Sequence, residues 1–184
     1  MKNLALMMMM ISFMSMPFVV ASEESEPQTV NYVNLEKYMG TWYEIAKFPN
    51  SFQKDCDAVT AEYRLLSSGK VSVINTCKHK GNNEYIKQAH GTAYVYDKEF
   101  NSKLKVSFVP LLQRWGWFAG DYWILALEEK DYGYALVGSP DRKFLWILSR
   151  TPTLDTYIID ELLAIAQAQA YDISKMTISP TWQL

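Results

Sequence analysis

The chain predicts an all-β domain with one α-helix near its C-terminus, and three observations carry that expectation. Short runs of alternating apolar and polar residues recur through the middle of the chain, separated by turn residues. Aromatic residues make up 14% of the 184 residues, with 12 Tyr, 8 Phe and 6 Trp, which suits strands or an aromatic-lined interior better than an ordinary core. After Pro152 the apolar period lengthens from two to about 3.6, the spacing of one helix face.

Residues 35–39 read as a short helical cap ahead of Gly40. Eight strands are expected over residues 41–47, 58–66, 70–77, 85–90, 92–97, 103–109, 121–128 and 132–138. Val59, Ala61 and Tyr63, then Val71, Val73 and Asn75, alternate about the turn Ser67-Ser68-Gly69, so the second and third strands form a hairpin. Short strands with short connections fit a sandwich or a barrel, and alternation alone does not separate the two. The helix is expected over about residues 154–171. Leu154, Ile158, Leu162, Ile165 and Gln169 share a stripe that Ile159, Leu163 and Ala166 broaden. Thr153 or Asp155 stands where a cap belongs, and residues 175–179 read as a last strand.

The first 21 residues read as a cleaved signal peptide. Lys2 supplies a positive start, Leu4 to Val20 an apolar run broken at Pro17, and Val19-Val20-Ala21 a small-residue cleavage site. Residues 22–32 then form an acidic, flexible leader, and residues 33–184 the domain. An exported chain with an even cysteine count favours a disulfide. Cys56 and Cys77 fall at the open ends of the predicted hairpin, within bridging reach. A metal site using Cys56, Cys77 and His79 would lack a fourth ligand and a recognised spacing.

A net charge of −2 gives no electrostatic case for nucleic acid. The chain has no Gly-x-Ser-x-Gly elbow, no phosphate-cradling glycine loop and no His-Glu-x-x-His. No enzyme activity, cofactor or metal is therefore expected.

Three motifs in order carry a family resemblance. Gly40-Thr41-Trp42-Tyr43-Glu44-Ile45-Ala46 opens the first strand. Gly120-Asp121-Tyr122-Trp123-Ile124-Leu125 lies between, with Gly120 where the family has threonine. Leu145-Trp146-Ile147-Leu148-Ser149-Arg150-Thr151-Pro152 ends the last barrel strand. Together they resemble the lipocalins, and most of all the branch of bacterial lipocalins and apolipoprotein D. The resemblance implies an eight-stranded antiparallel up-and-down β-barrel with one C-terminal α-helix packed outside. It assigns structural roles to Gly40, Trp42, Asp121 and Arg150, with the Arg150 guanidinium over the Trp42 ring at a closed end. Bacterial members are often lipoproteins with an acylated cysteine after the signal peptide. Ser22 stands there in this chain, so a soluble, unanchored protein is expected, periplasmic or secreted.

The resemblance further implies that the barrel holds a fatty acid, lysophospholipid, phospholipid or other hydrophobic small molecule, which the protein carries or stores for membrane maintenance. An eight-stranded barrel has room for one small ligand. With Trp42 pointing inward, a period of two sends Glu44 and Ala46 inward. Val59, Ala61, Tyr63, Val71, Val73, Val106, Phe108, Tyr122, Ile124, Ala126, Tyr134 and Leu136 complete the expected lining. A barrel filled by these side chains, serving as a protein- or membrane-interaction module, is the alternative; a lipid isomerase is another. The apolar connection over residues 110–119, with Trp115, Gly116 and Trp117, is expected at the closed end, where it could plug the floor, join two copies as a homodimer or touch a membrane.

Overall fold

The computed structural model describes residues 25–79, 82–108 and 119–179. The expected signal peptide, Ser22 and the tryptophan-rich stretch of the 110–119 connection lie outside the described residues. A four-residue helix α1 (Leu35–Tyr38) leads into β1 (Gly40–Lys47), β2 (Cys56–Leu65), β3 (Val71–His79), β4 (Asn82–Val95), β5 (Lys103–Ser107), β6 (Gly120–Leu127), β7 (Tyr134–Gly138) and β8 (Leu145–Ser149). Helix α2 (Thr156–Ala168) and a two-residue strand β9 (Thr177–Ile178) follow. Each strand pairs antiparallel with the next, and β1 bonds both β8 and β2, which closes the barrel; β9 adds to β1 beside Ala46 and Lys47. Closure removes the exposed edges that an open sheet would carry.

Two expected strands are one. The sequence places a break at Gly91, but β4 runs through it without interruption. Gly91 is needed for space, not for a turn: a Cβ there would lie 2.9 Å from the Phe108 ring. The eighth barrel strand is instead Leu145–Ser149, the segment of the third motif.

Two clusters account for the packing. One fills the barrel around Trp42, Ile124, Val137 and Leu148. The other lies between the barrel wall and α2, where Ile45, Leu136, Leu145 and Ile147 meet Ile159, Leu162 and Ala166. Asp155 occupies the N-cap position of α2, though its side chain makes no capping bond. The described part of the acidic leader does not stand clear of the barrel. Pro27 is buried, Val30 N–H donates to the Ile124 carbonyl, and Arg142 donates to the Ser25 carbonyl.

Up-and-down order fixes which loops share an end. The starts of β1, β3, β5 and β7 gather with α1 at one end, around Trp42. The 48–55 and 139–144 connections lie at the other, and so do Phe108 and Gly120, which flank the 109–118 segment. The aromatic connection therefore springs from the open end, not from the closed end where it was expected. Five strands separate Gly40 from Gly120 in an alternating up-and-down chain, and that parity decides the end.

Candidate functional site

The closed end is built around Trp42, which is fully buried. Its indole N–H donates to the Tyr38 carbonyl at 2.9 Å. Arg150 lies over its face with the guanidinium carbon 3.9 Å from the ring centroid. The same guanidinium donates to the carbonyls of Thr41 (2.9 Å), Lys37 (2.8 Å) and Met39 (2.8 Å), which ties α1 and β1 to the end of β8. Gly40 has φ +97°, a conformation open to glycine, and a Cβ there would approach Arg150 Nη1 to 3.3 Å. The glycine of the first motif thus serves both the turn and the arginine.

Above this floor sits a layer of three tyrosines from α1, β2 and β6, with Tyr38 and Tyr63 buried and Tyr122 half-buried. The Tyr122 hydroxyl meets that of Tyr38 at 2.8 Å and that of Tyr63 at 3.2 Å. Burial holds all three phenols above their ordinary range, with Tyr63 pushed up to about 12. Their rings, with Leu35, Val71, Ala93 and Leu104, leave a cavity of only about 20 Å³, space for little more than one water. The lower half of the barrel is packed.

The upper half differs. In β4, residues 87–90 are exposed although they alternate between the two faces, so Lys87 and Ala89 on the inner face are uncovered. Val59, Ala61, Val73 and Asn75 face them from β2 and β3, and the Phe108 ring lies against Gly91. The space opens at the end where Cys56 and Cys77 form the expected disulfide, joining the ends of β2 and β3.

One wall of this upper half is polar. Glu44, only 3% exposed, accepts from Gln53 Nε2 at 2.6 Å and meets Lys47 Nζ at 2.7 Å. Gln53 comes from the one-turn helix Ser51–Gln53; its amide oxygen accepts from Asn50 (2.6 Å) and from the Trp146 indole (3.4 Å). Burial raises the Glu44 pKa above the ordinary carboxylate value, and the Lys47 charge opposes the shift. Across the barrel, the buried Asn75 Oδ1 has no hydrogen-bond partner among the described residues.

The inward set expected from alternation is partly redirected. Trp42, Glu44, Ala61, Tyr63, Val71, Val73, Val106, Tyr122 and Ile124 face the interior, and Val59 is buried on the same side of β2. Phe108 lies beyond the end of β5 and is 40% exposed. Ala46, Ala126, Tyr134 and Leu136 instead face α2. The cause is a bulge in each of two strands. In β1 the register slips between Glu44 and Ala46, and in β6 between Ile124 and Ala126. An extra residue, Ile45 or Leu125, reverses which side chains point inward. Lys47 and Leu127 therefore turn in where Ala46 and Ala126 were expected. In β7 the opposite face is used: Ala135 and Val137 point inward. Tyr38, Lys47, Gln53 and Trp146 were missed by alternation, and only the motif around Trp146 gave any signal. Asp121 lies outside, pairing with Lys105 across β5 and β6 at 2.9 Å.

A family model described as a lipocalin-like domain matches residues 33–181. The chain is 39% identical over 160 residues to outer membrane lipoprotein Blc of Escherichia coli K12, covering 85% of this chain and 86% of that protein. Temperature-induced lipocalin-1 of Arabidopsis thaliana is 40% identical over 166 residues, covering 86% and 85%. Apolipoprotein D of Mus musculus is 35% identical over 160 residues, covering 83% and 79%. Among solved structures, insecticyanin from the tobacco hornworm has a TM-score of 0.62 at 23% identity, covering 84% of each chain. Lobster apocrustacyanin A1 has a TM-score of 0.61 at 20% identity, covering 79% of this chain and 78% of that one. At those identities the structural likeness is one of fold.

Proposed function

The chain belongs to the lipocalin family, and on that premise we propose that it carries or stores a hydrophobic small molecule, an alkyl-chain lipid, in the upper half of its barrel. The observation behind this reading is the contrast along the barrel axis. Below Tyr63 and Tyr122 the interior is packed to a residue of about 20 Å³. Above them Lys87 and Ala89, on the inner face of β4, are uncovered toward the open end, beside the buried apolar side chains of Val59, Ala61 and Val73 on β2 and β3. A concave, mostly apolar space that opens at the mouth of a rigid barrel is the usual form of a small-ligand site. The packed lower half is what a filled-barrel interaction module would show throughout; the uncovered upper half favours the carrier.

The chemistry is that of binding without reaction. Desolvation raises the pKa of all three tyrosines above the ordinary phenol value, and the cysteines are bonded to each other. The apolar run before Ser22 supports export, and Ser22 in place of a cysteine supports a protein without a lipid anchor.

Intrinsic tryptophan fluorescence, titrated with fatty acids and lysophospholipids of increasing chain length, tests the proposal. Each methylene taken into the barrel contributes about 0.8 kcal/mol, so two added methylenes tighten binding about tenfold. The gain is expected to stop once the chain reaches the tyrosine layer. No binding across the series by the folded, ligand-free protein refutes the carrier reading.

A further inference from the structure

We propose that Lys47 is the docking point for an anionic head group, carboxylate or phosphate, on the bound amphiphile. The proposal rests on the carrier reading above and names the class of ligand it takes. Lys47 is the last residue of β1, and the bulge at Ile45 turns its side chain into the barrel just inside the mouth. The side chain is 12% exposed, and its ammonium nitrogen is buried. An ammonium has three donors. Its one ion pair is with Glu44 Oε1 at 2.7 Å, and among the described residues neither atom has a partner in hydrogen-bond geometry.

The neighbouring groups decide the sign of the missing partner. The other Glu44 oxygen is held by Gln53, and Gln53 is held in turn by Asn50 and the Trp146 indole. One carboxylate oxygen is therefore anchored, and the other, Oε1, faces Lys47, whose three donors meet that single oxygen and so carry the larger unmet capacity. A buried ion pair in this condition is costly, because desolvation is not offset by bonds on every proton. An anionic oxygen entering from the mouth would complete the shell of Lys47. Its alkyl chain would then lie between the uncovered inner face of β4 at Lys87 and Ala89 and the apolar side chains of Val59, Ala61 and Val73. A cationic head would meet the ammonium first and be repelled.

Equilibrium dialysis with hexadecanoate, hexadecyl phosphate and the neutral methyl hexadecanoate separates the outcomes. Wild-type protein is expected to bind at least one anion about tenfold or more tightly than the ester, the size of a charge-assisted hydrogen bond; the tighter anion identifies the head. Lys47→Met should bring both anions to the level of the ester and leave the ester unchanged. Because that variant leaves Glu44 buried without its cation, Glu44→Gln/Lys47→Met, neutral and of similar shape, carries the test if the single variant does not fold. Equal binding of anions and ester by the wild type, or an unchanged preference in the variants, overturns the assignment and leaves the carrier reading standing. Failure of the wild type to bind any of the three overturns the carrier reading itself.

Discussion

Replacing Arg150 tests the closed end directly. The guanidinium stacks on Trp42 at 3.9 Å and donates three bonds of 2.8–2.9 Å to the carbonyls of Lys37, Met39 and Thr41. The stacking contributes about 1–2 kcal/mol for a half-desolvated pair. Each charge-assisted bond contributes about 1 kcal/mol or less net, since two of the three are exposed. Arg150→Ala is therefore expected to lower unfolding stability by about 3–4 kcal/mol. Arg150→Lys keeps the charge but not the planar fork, and should still lose about 2 kcal/mol. Urea denaturation followed by tryptophan fluorescence measures both. Arg64→Ala is the control: Arg64 pairs with Glu62 on the surface, and its loss should move stability by less than about 0.5 kcal/mol. If Arg150→Ala behaves like that control, the arginine does not close the barrel. If Arg150→Lys matches the wild type, the charge matters and the fork does not.

Three further outcomes are expected. Converting both Cys56 and Cys77 to Ala opens a bridge spanning a sequence separation of 21; on the loop-entropy argument stability drops by about 3 kcal/mol, read as a lower denaturant midpoint. Gly91→Ala, whose Cβ would meet the Phe108 ring and the Ser107 carbonyl, should cost about 1–2 kcal/mol, and adding Phe108→Ala should recover part of it; strict additivity in that double-mutant cycle would show that the two positions do not touch. Glu44 has its folded-state pKa raised by burial, so the native chain holds this proton to higher pH than the unfolded chain. Its contribution is fully present below the ordinary glutamate value of about 4.3 and is lost as pH rises through the folded value. Glu44→Gln should flatten that decline, and stability curves for the two proteins that stay parallel from acid to neutral pH would contradict it.

Legibility followed the chemistry of each segment. The disulfide could be read because β2 and β3 alternate cleanly about a short turn, which fixes the register of Cys56 and Cys77. The floor could be read because the motifs that hold Gly40, Trp42 and Arg150 resemble those of the lipocalins, and each of the three residues has a backbone or ring requirement that few residue types meet. The lining of β1, β6 and β7 could not. Those strands are buried on both faces, by the barrel interior and by α2, so Tyr134-Ala135-Leu136-Val137 carries no alternation to say which side is which.

The residues alone determined the all-β class, the C-terminal helix and the bridge, because these rest on local periodicity; the resemblance of three motifs supplied the barrel and the pairing of Trp42 with Arg150. Tertiary structure decided the rest. The bulges at Ile45 and Leu125 exist only in the mismatch between two paired strands, and they chose Lys47 over Ala46 as the inward residue. Gln53 reaches Glu44 only because the loop after β1 folds back beside the mouth. Register and loop return are properties of pairs of segments distant in sequence, so no pattern within one segment encodes them.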